Sequence, residues 1–408
     1  MNCFIGKKTE KNNYSPLLLI VLAITVSNIF LLGSYILLAL AFLYLISRSK
    51  ITITYKSLLL LAFAMTYLCF GMMSLGVSLS LFKPLIYAMI WIMIYNISSN
   101  KSIDQIFTLM LFLALGMASH GLINFLYNTK NGVEMSKGMS FDFWSQAYSS
   151  ATGQAINFTL LIAITFWIIF LQKNKFLKII GIIFFVCSLL YDIQLGGRTF
   201  FVITVISLAC GIIILVIESF SHPYIAKKTF GICIIIGGII LFVVLIFQYN
   251  LFNAKTEFEK SYMYRRLYYH SAGNIADDSR FNRKSLYYSM FFDNLFGGGK
   301  ISGSGIGAAH ELWLDIFDQV GFIPYILIII YTVSVIWTVC SIVKKSKIEI
   351  SYKNALIIYT VVMFSQFFVE PIMAGAPMLF SSFIIIDAAL TRFYRDNAEV
   401  QNFVLEKK

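Results

Sequence analysis

Long apolar runs follow one another along nearly the whole of this sequence, and most of its charged residues sit in the segments between them. A hydrocarbon core of about 30 Å needs roughly 20 apolar residues per helix, and a spanning backbone must satisfy its own amides and carbonyls. The pattern predicts an all-α integral membrane protein with about 12 transmembrane helices, running from Tyr14–Leu32 and the short Tyr35–Ile46 through Phe230–Tyr249 and Val320–Val343 to Ala376–Leu390. If the turn at Gly33-Ser34 is a kink, the count falls by one. With 59% hydrophobic and 13% charged residues over 408 positions, the composition excludes a soluble globular domain.

Basic residues set the orientation. They gather in alternate short segments: Lys7, Lys8 and Lys11; Arg48, Lys50 and Lys56; Lys101; Lys173, Lys175 and Lys178; Lys227 and Lys228; Lys344, Lys345, Lys347 and Lys353; and Arg392, Arg395, Lys407 and Lys408. By the positive-inside rule these segments and both termini are cytoplasmic. Lys83, near the outer end of the fourth span, is the one short-loop exception, and outward snorkelling accounts for it. The net charge of +12 then reflects loops held at an anionic membrane surface, so no nucleic-acid partner is implied. Two long segments fall on the outer side, about Tyr127–Ala151 and residues 250–318, the latter between the ninth and tenth spans. Without a repeat or a soluble domain, 1–408 reads as one polytopic membrane domain in which the loop 250–318 carries much of the active site. The six cysteines are scattered with no C-x-x-C pair and give no support to a disulfide framework or a zinc site.

Three outer segments place polar chemistry against this apolar background. In LGGRTFF, Arg198 follows Gly196 and Gly197 at the border of an apolar run. Its guanidinium fork suits two phosphate oxygens; the structural alternative is a snorkelling arginine paired with Asp192. In SRFNRKSLYYSMFFDNLFGGG, Arg280 and Arg283 share one side of a helix beside Lys284, so a single anion can meet two cations. A solvated face paired with Asp277 and Asp278 is the alternative there. In SGSGIGAAHELWLDIFDQVGF, His310 stands where the loop enters a helix, as a base for a sugar hydroxyl or simply as a helix cap. Glu311, Asp315 and Asp318 recur at i, i+4 and i+7; one helix face toward a divalent ion is the functional reading and the dipole of a helix N-terminus the plainer one, and no metal or cofactor is required. LFGGGKISGSGIG lacks the P-loop pattern and reads as a flexible loop. Asp387, in the last span, reads as the partner of Arg392 at the interface, with proton coupling as the functional alternative.

Together these segments resemble the membrane glycan polymerase and ligase superfamily, which includes Wzy-type O-antigen polymerases and O-antigen ligases. The matching features are a Gly-Arg-Thr element opening a span, an arginine-bearing segment leading through aromatics to a glycine turn, and a histidine followed by a helix that ends in glycine. Glu311 follows the histidine where the family commonly has asparagine. The resemblance implies metal-independent, inverting glycosyl transfer on the outer face of a bacterial inner membrane, with undecaprenyl-diphosphate-linked oligosaccharide as the lipid partner. It assigns Arg198, Arg280 and Arg283 to the diphosphate and His310 to the acceptor hydroxyl. A chain-length regulator protein is a further expected partner. Polymerisation of O-antigen or capsule-type repeat units is favoured over ligation to lipid A core because His-Glu replaces His-Asn. A polysaccharide flippase is the alternative from another class, but it calls for charges lining a central path rather than an outer loop.

Overall fold

The computed structural model describes residues 13–132, 139–221, 248–250, 253–260, 264 and 279–406. The apolar runs become helices: α1 (Pro16–Val26), α2 (Gly33–Ser47), α3 (Tyr55–Leu75), α4 (Lys83–Ile97, entered through the turn Leu79–Phe82), α5 (Ile103–Lys130), α6 (Ala151–Ala155), α7 (Thr159–Phe170), α8 (Lys175–Leu195) and α9 (Arg198–Ser221). The second half contributes α10 (Ser279–Ser289), α11 (Leu312–Val320), α12 (Phe322–Lys345), α13 (Ile350–Phe367), α14 (Ile372–Gly375) and α15 (Pro377–Glu406). Among the described residues, eight helices are long and apolar enough to cross a bilayer. The expected ninth run, 230–249, lies outside the described residues except for its last two.

Short polar signals set where helices start. The Ser57 hydroxyl accepts the Thr54 amide at the start of α3, Ser102 and Gln105 form a capping box at α5, and the Asn174 side chain accepts the amides of Phe176 and Leu177 at α8. Each satisfies amides that the first helical turn leaves without partners. The first expected run, Tyr14–Leu32, is cut short because Asn28, Phe30 and Leu31 take left-handed backbone angles, and α1 ends at Val26. Within the bundle, α5 lies centrally, packed against α1, α7, α8 and α15.

The described chain is predominantly helical, and within the outer segment expected as a long loop β1 (Met139–Asp142) and β2 (Ala147–Ser150) pair antiparallel. Asp387 does not pair with Arg392. It holds Lys56 Nζ at 2.6 Å and accepts from Trp91 Nε1 at 2.8 Å and the Tyr331 hydroxyl at 2.9 Å, while Arg392 meets Asp396. Lys56, expected in a cytoplasmic loop, is fully buried, and its ammonium also donates to Thr338 and Thr391. A buried charge is tolerable only with such partners, and this network ties α3, α4, α12 and α15 at one end of the bundle.

At the opposite end of α3, Ser74 and Tyr67 reach α11. The Tyr67 hydroxyl donates to Gln319 Oε1 at 3.0 Å, and Ser74 Oγ donates to the Gln319 carbonyl at 3.4 Å. There residues 279–320, part of the expected loop, fold over a small core of Tyr287, Ile301, Ala309, Leu314 and Phe317.

Candidate functional site

Carboxylates fold the segment that carries His310. Asp318 accepts the Ile301 amide at 3.0 Å and the Ser302 amide at 3.3 Å, and takes the Asn294 side-chain amide at 3.2 Å. The Gly299 amide bonds the Asp318 carbonyl at 2.8 Å, and Gly298 bonds the Gln319 carbonyl at 3.0 Å. This glycine turn needs glycine at Gly297, where φ is +74° and a Cβ would stand 2.5 Å from the Gly321 amide nitrogen. The segment expected to be a flexible loop is therefore pinned at the junction of α11 and α12.

His310 occupies a left-handed conformation, φ +56°, two residues before α11, and so does not cap that helix. Such a conformation persists in a residue with a Cβ only when its surroundings impose it. Asp315 imposes it: one carboxylate oxygen accepts the Ala309 amide and the other the Glu311 amide, both at 2.9 Å. Burial pushes this carboxyl up to about 6, although the two amides and the neighbouring His310 favour its charged form. The imidazole is 29% exposed, while its Nδ1 is buried, without a hydrogen bond, and 3.8 Å from Glu370 Oε2.

The cations of α10 border the same segment. The Tyr287 hydroxyl donates to the Gly307 carbonyl at 3.0 Å, and Arg283 Nη1 lies 3.5 Å from where a Gly307 Cβ would be. Arg283 has no carboxylate or hydrogen-bond partner among the described residues. Lys284 differs, because it pairs with Glu311 at 3.0 Å and donates to the Phe368 carbonyl at 2.6 Å. Arg280 lies in the first turn of α10, one turn before Arg283; its side chain, like Asp277 and Asp278, lies outside the described set.

Arg198 opens α9 with an exposed side chain that makes no hydrogen bond or ion pair among the described residues. Asp192 is not its partner. That carboxyl is buried with neither oxygen bonded, against Gly197, where a Cβ would stand 2.3 Å from Oδ1. Ser207 Oγ donates to the Ile162 carbonyl, and Gly211 faces Phe166 and Ile358, so α9 runs in the same direction as α7 and places Arg198 at the α6 end.

That end holds a polar network with no counterpart in the expectations. His120 Nε2 lies 2.8 Å from Asp142 Oδ2, and its Nδ1 lies 2.8 Å from the Ser27 carbonyl. Asp142 also receives the Asn124 side-chain amide and the backbone amides of Trp144 and Ser145. Burial works to raise the Asp142 carboxyl, but the His120 hydrogen bond and charge, with the Ser145 amide and Asn124, hold it well below the usual carboxylate range. The pair lines a cavity of about 160 Å³ that also meets Gly375–Leu379, just beyond Glu370.

The structure thus sets Arg283 against Gly307 and Lys284 against Glu311, in the segment that carries His310, and carries Arg198 toward the α6 end on a separate helix. Asp315, expected only as a carboxylate suited to the helix dipole, instead holds the amides on both sides of His310, and Glu370, an acid beside a proline at the end of an apolar run, stands behind its ring. No protein-family model matches the chain, and no curated protein shows significant similarity to it.

Proposed function

We propose that this chain polymerises lipid-linked oligosaccharide repeat units, transferring glycan from undecaprenyl diphosphate to the next unit at the outer face of a bacterial inner membrane. The observation that carries the reading is Arg283, without a partner among the described residues, against Gly307, three residues before a partly open His310 whose strained conformation is imposed by Asp315. In the reaction the acceptor hydroxyl oxygen attacks the anomeric carbon and the bond to the diphosphate oxygen breaks with its electron pair. His310 takes the hydroxyl proton on the ring edge away from Glu370, and Glu370 stabilises the imidazolium that forms. Arg283, with Arg280 and Arg198, offsets the charge gathering on the leaving diphosphate. The bond to a diphosphate is already activated, so anion stabilisation matters more than a strong acid.

Purified protein given a synthetic undecaprenyl-diphosphate repeat unit as its only substrate is expected to make longer lipid-linked glycans, with and without EDTA. His310→Ala should slow extension by roughly 100- to 10,000-fold, the range for a lost general base. Product that forms only after lipid A core is added means ligation instead, and lipid that changes leaflet without a new bond means transport.

A further inference from the structure

Lys83 is the outer cation that the orientation rule does not explain, and the structure places it at a cavity. This space, about 270 Å³, is lined by Tyr67, Ser80, Lys83, Tyr87, Gln319 and Met373, together with Pro84. The lining contains no acid. Lys83 is exposed and makes no ion pair or hydrogen bond among the described residues. Tyr87 is 2% exposed, yet its hydroxyl has no partner among the described residues. A buried hydroxyl without a partner is costly unless something in the cavity bonds it. Ser80 and Lys83 lie at the N-terminal end of the helix, whose dipole adds partial positive charge. A cation, a free phenol donor and a helix N-terminus facing one space suit an anion with several oxygens.

The surroundings favour an anion carried on a lipid. The last turn of α3 and the turn into α4 expose Met73, Leu75, Val77, Leu79 and Phe82, the last two flanking in sequence the lining residues Ser80 and Lys83, an apolar rim along which a hydrocarbon tail can lie. Gln319 and Met373 also line a cleft of about 10 Å³ with Asp315 and Pro371, and Asp315 holds the amides on both sides of His310. From Gln319 back to Glu311, α11 spans on the order of 12 Å at its helical rise, a gap that an oligosaccharide bridges and a bare phosphate does not.

We infer that this cavity holds the diphosphate of the acceptor lipid, a second phosphate site separate from the Arg283 cluster. The inference rests on the polymerase reading, in which two lipid diphosphates are bound at once. The test measures binding without turnover. Full-length protein in detergent is titrated with a sugar-free polyprenyl diphosphate, and bound lipids are counted by native mass spectrometry, with phosphatidylglycerol and inorganic pyrophosphate in parallel arms. Wild type is expected to take up a second polyprenyl diphosphate after the first. Lys83→Gln should weaken one of the two binding events by about tenfold or more, the scale of one charge-assisted hydrogen bond. Tyr87→Phe should do the same while keeping the buried ring, which guards against a folding defect in the lysine variant. Unchanged affinities in both variants overturn the inference, as does equally tight Lys83-dependent binding of phosphatidylglycerol or inorganic pyrophosphate. Protein that binds the second lipid through Lys83 but makes no polymer sinks the polymerase reading and leaves the phosphate site standing.

Discussion

Asp315 shows how one carboxylate links stability to the proposed chemistry. Its carboxyl sits at about 6 in the folded chain because burial disfavours the charge, against about 3.9 for a free aspartate. The folded state therefore binds this proton more tightly than the unfolded state. The stability it contributes is full below about pH 4 and lost as pH rises to about 6, a change on the order of 3 kcal/mol. In thermal unfolding, the advantage of wild type over Asp315→Asn should shrink across that window and stay flat above it; an advantage that grows with pH means the carboxyl is not raised. Glycan extension should respond differently. An asparagine turns an NH₂ group toward one of the two amides it must accept, so Asp315→Asn is expected to lose most activity at every pH through a misplaced His310. Arg198 makes a second demand at this scale. If it grips two phosphate oxygens, Arg198→Lys should lose most polymer, because an ammonium offers a point charge rather than a fork. Near-normal polymer from Arg198→Ala cells returns that residue to interfacial anchoring.

Among the elements, the buried pair of Lys56 and Asp387 is where sequence and structure diverge most instructively. Helix positions were legible because an apolar run of spanning length has few alternatives, and α3 and α8 fall within a few residues of the expected Ser57–Leu75 and Phe176–Ile193. A lysine beside a basic loop, however, looks the same whether it faces water or the bundle. Its partner lies 331 residues away, beyond any local pattern, whereas Arg392 stands near Asp387 in sequence and drew the pairing. His120 with Asp142, and His310 with Glu370, escaped for the same reason, since each joins residues from separate elements. The β-hairpin was hidden because its strands are only four residues each and are not apolar. Lys56→Ala is expected to destabilise the bundle by about 3–5 kcal/mol, because it strands the Asp387 carboxylate among Trp91, Tyr331 and Thr391. Replacing both, Lys56→Met with Asp387→Leu, should recover most of that loss in detergent unfolding. If the single variant unfolds with wild type, the network is not the clamp between α3 and α15 that its geometry describes.

For the whole molecule, the arrangement depends on the two ends of the bundle lying on opposite sides of the membrane. Lys56 and Asp387 mark one end, and Ser74, Gln319 and His310 mark the other. The sequence assigns sides through its alternating basic clusters, which put Lys50 and Lys345 in the cytoplasm and the glycine turn outside. The fold agrees with the relative part of that assignment: α3 leads from the Lys56 end to the Gln319 end, and α12 leads back from Gly321 to a C-terminus carrying Lys344 and Lys345. Net charge alone does not separate the two ends, because Arg283, Lys284 and Lys83 also place cations at the site end. Two cations at the site end differ from the buried Lys56 and from Lys284, which pair with Asp387 and Glu311: Arg283 and Lys83 have no protein partner among the described residues. Free cations at a membrane border are suited to ligands rather than to orientation alone. Alkaline phosphatase fused after Gly303 should therefore be active, and the same reporter at Lys50 or Lys345 inactive. The reverse pattern would turn the Arg283 and His310 surface toward the cytoplasm, where lipid-linked units are not polymerised in the proposed scheme, and the assignment of function would fall with the topology.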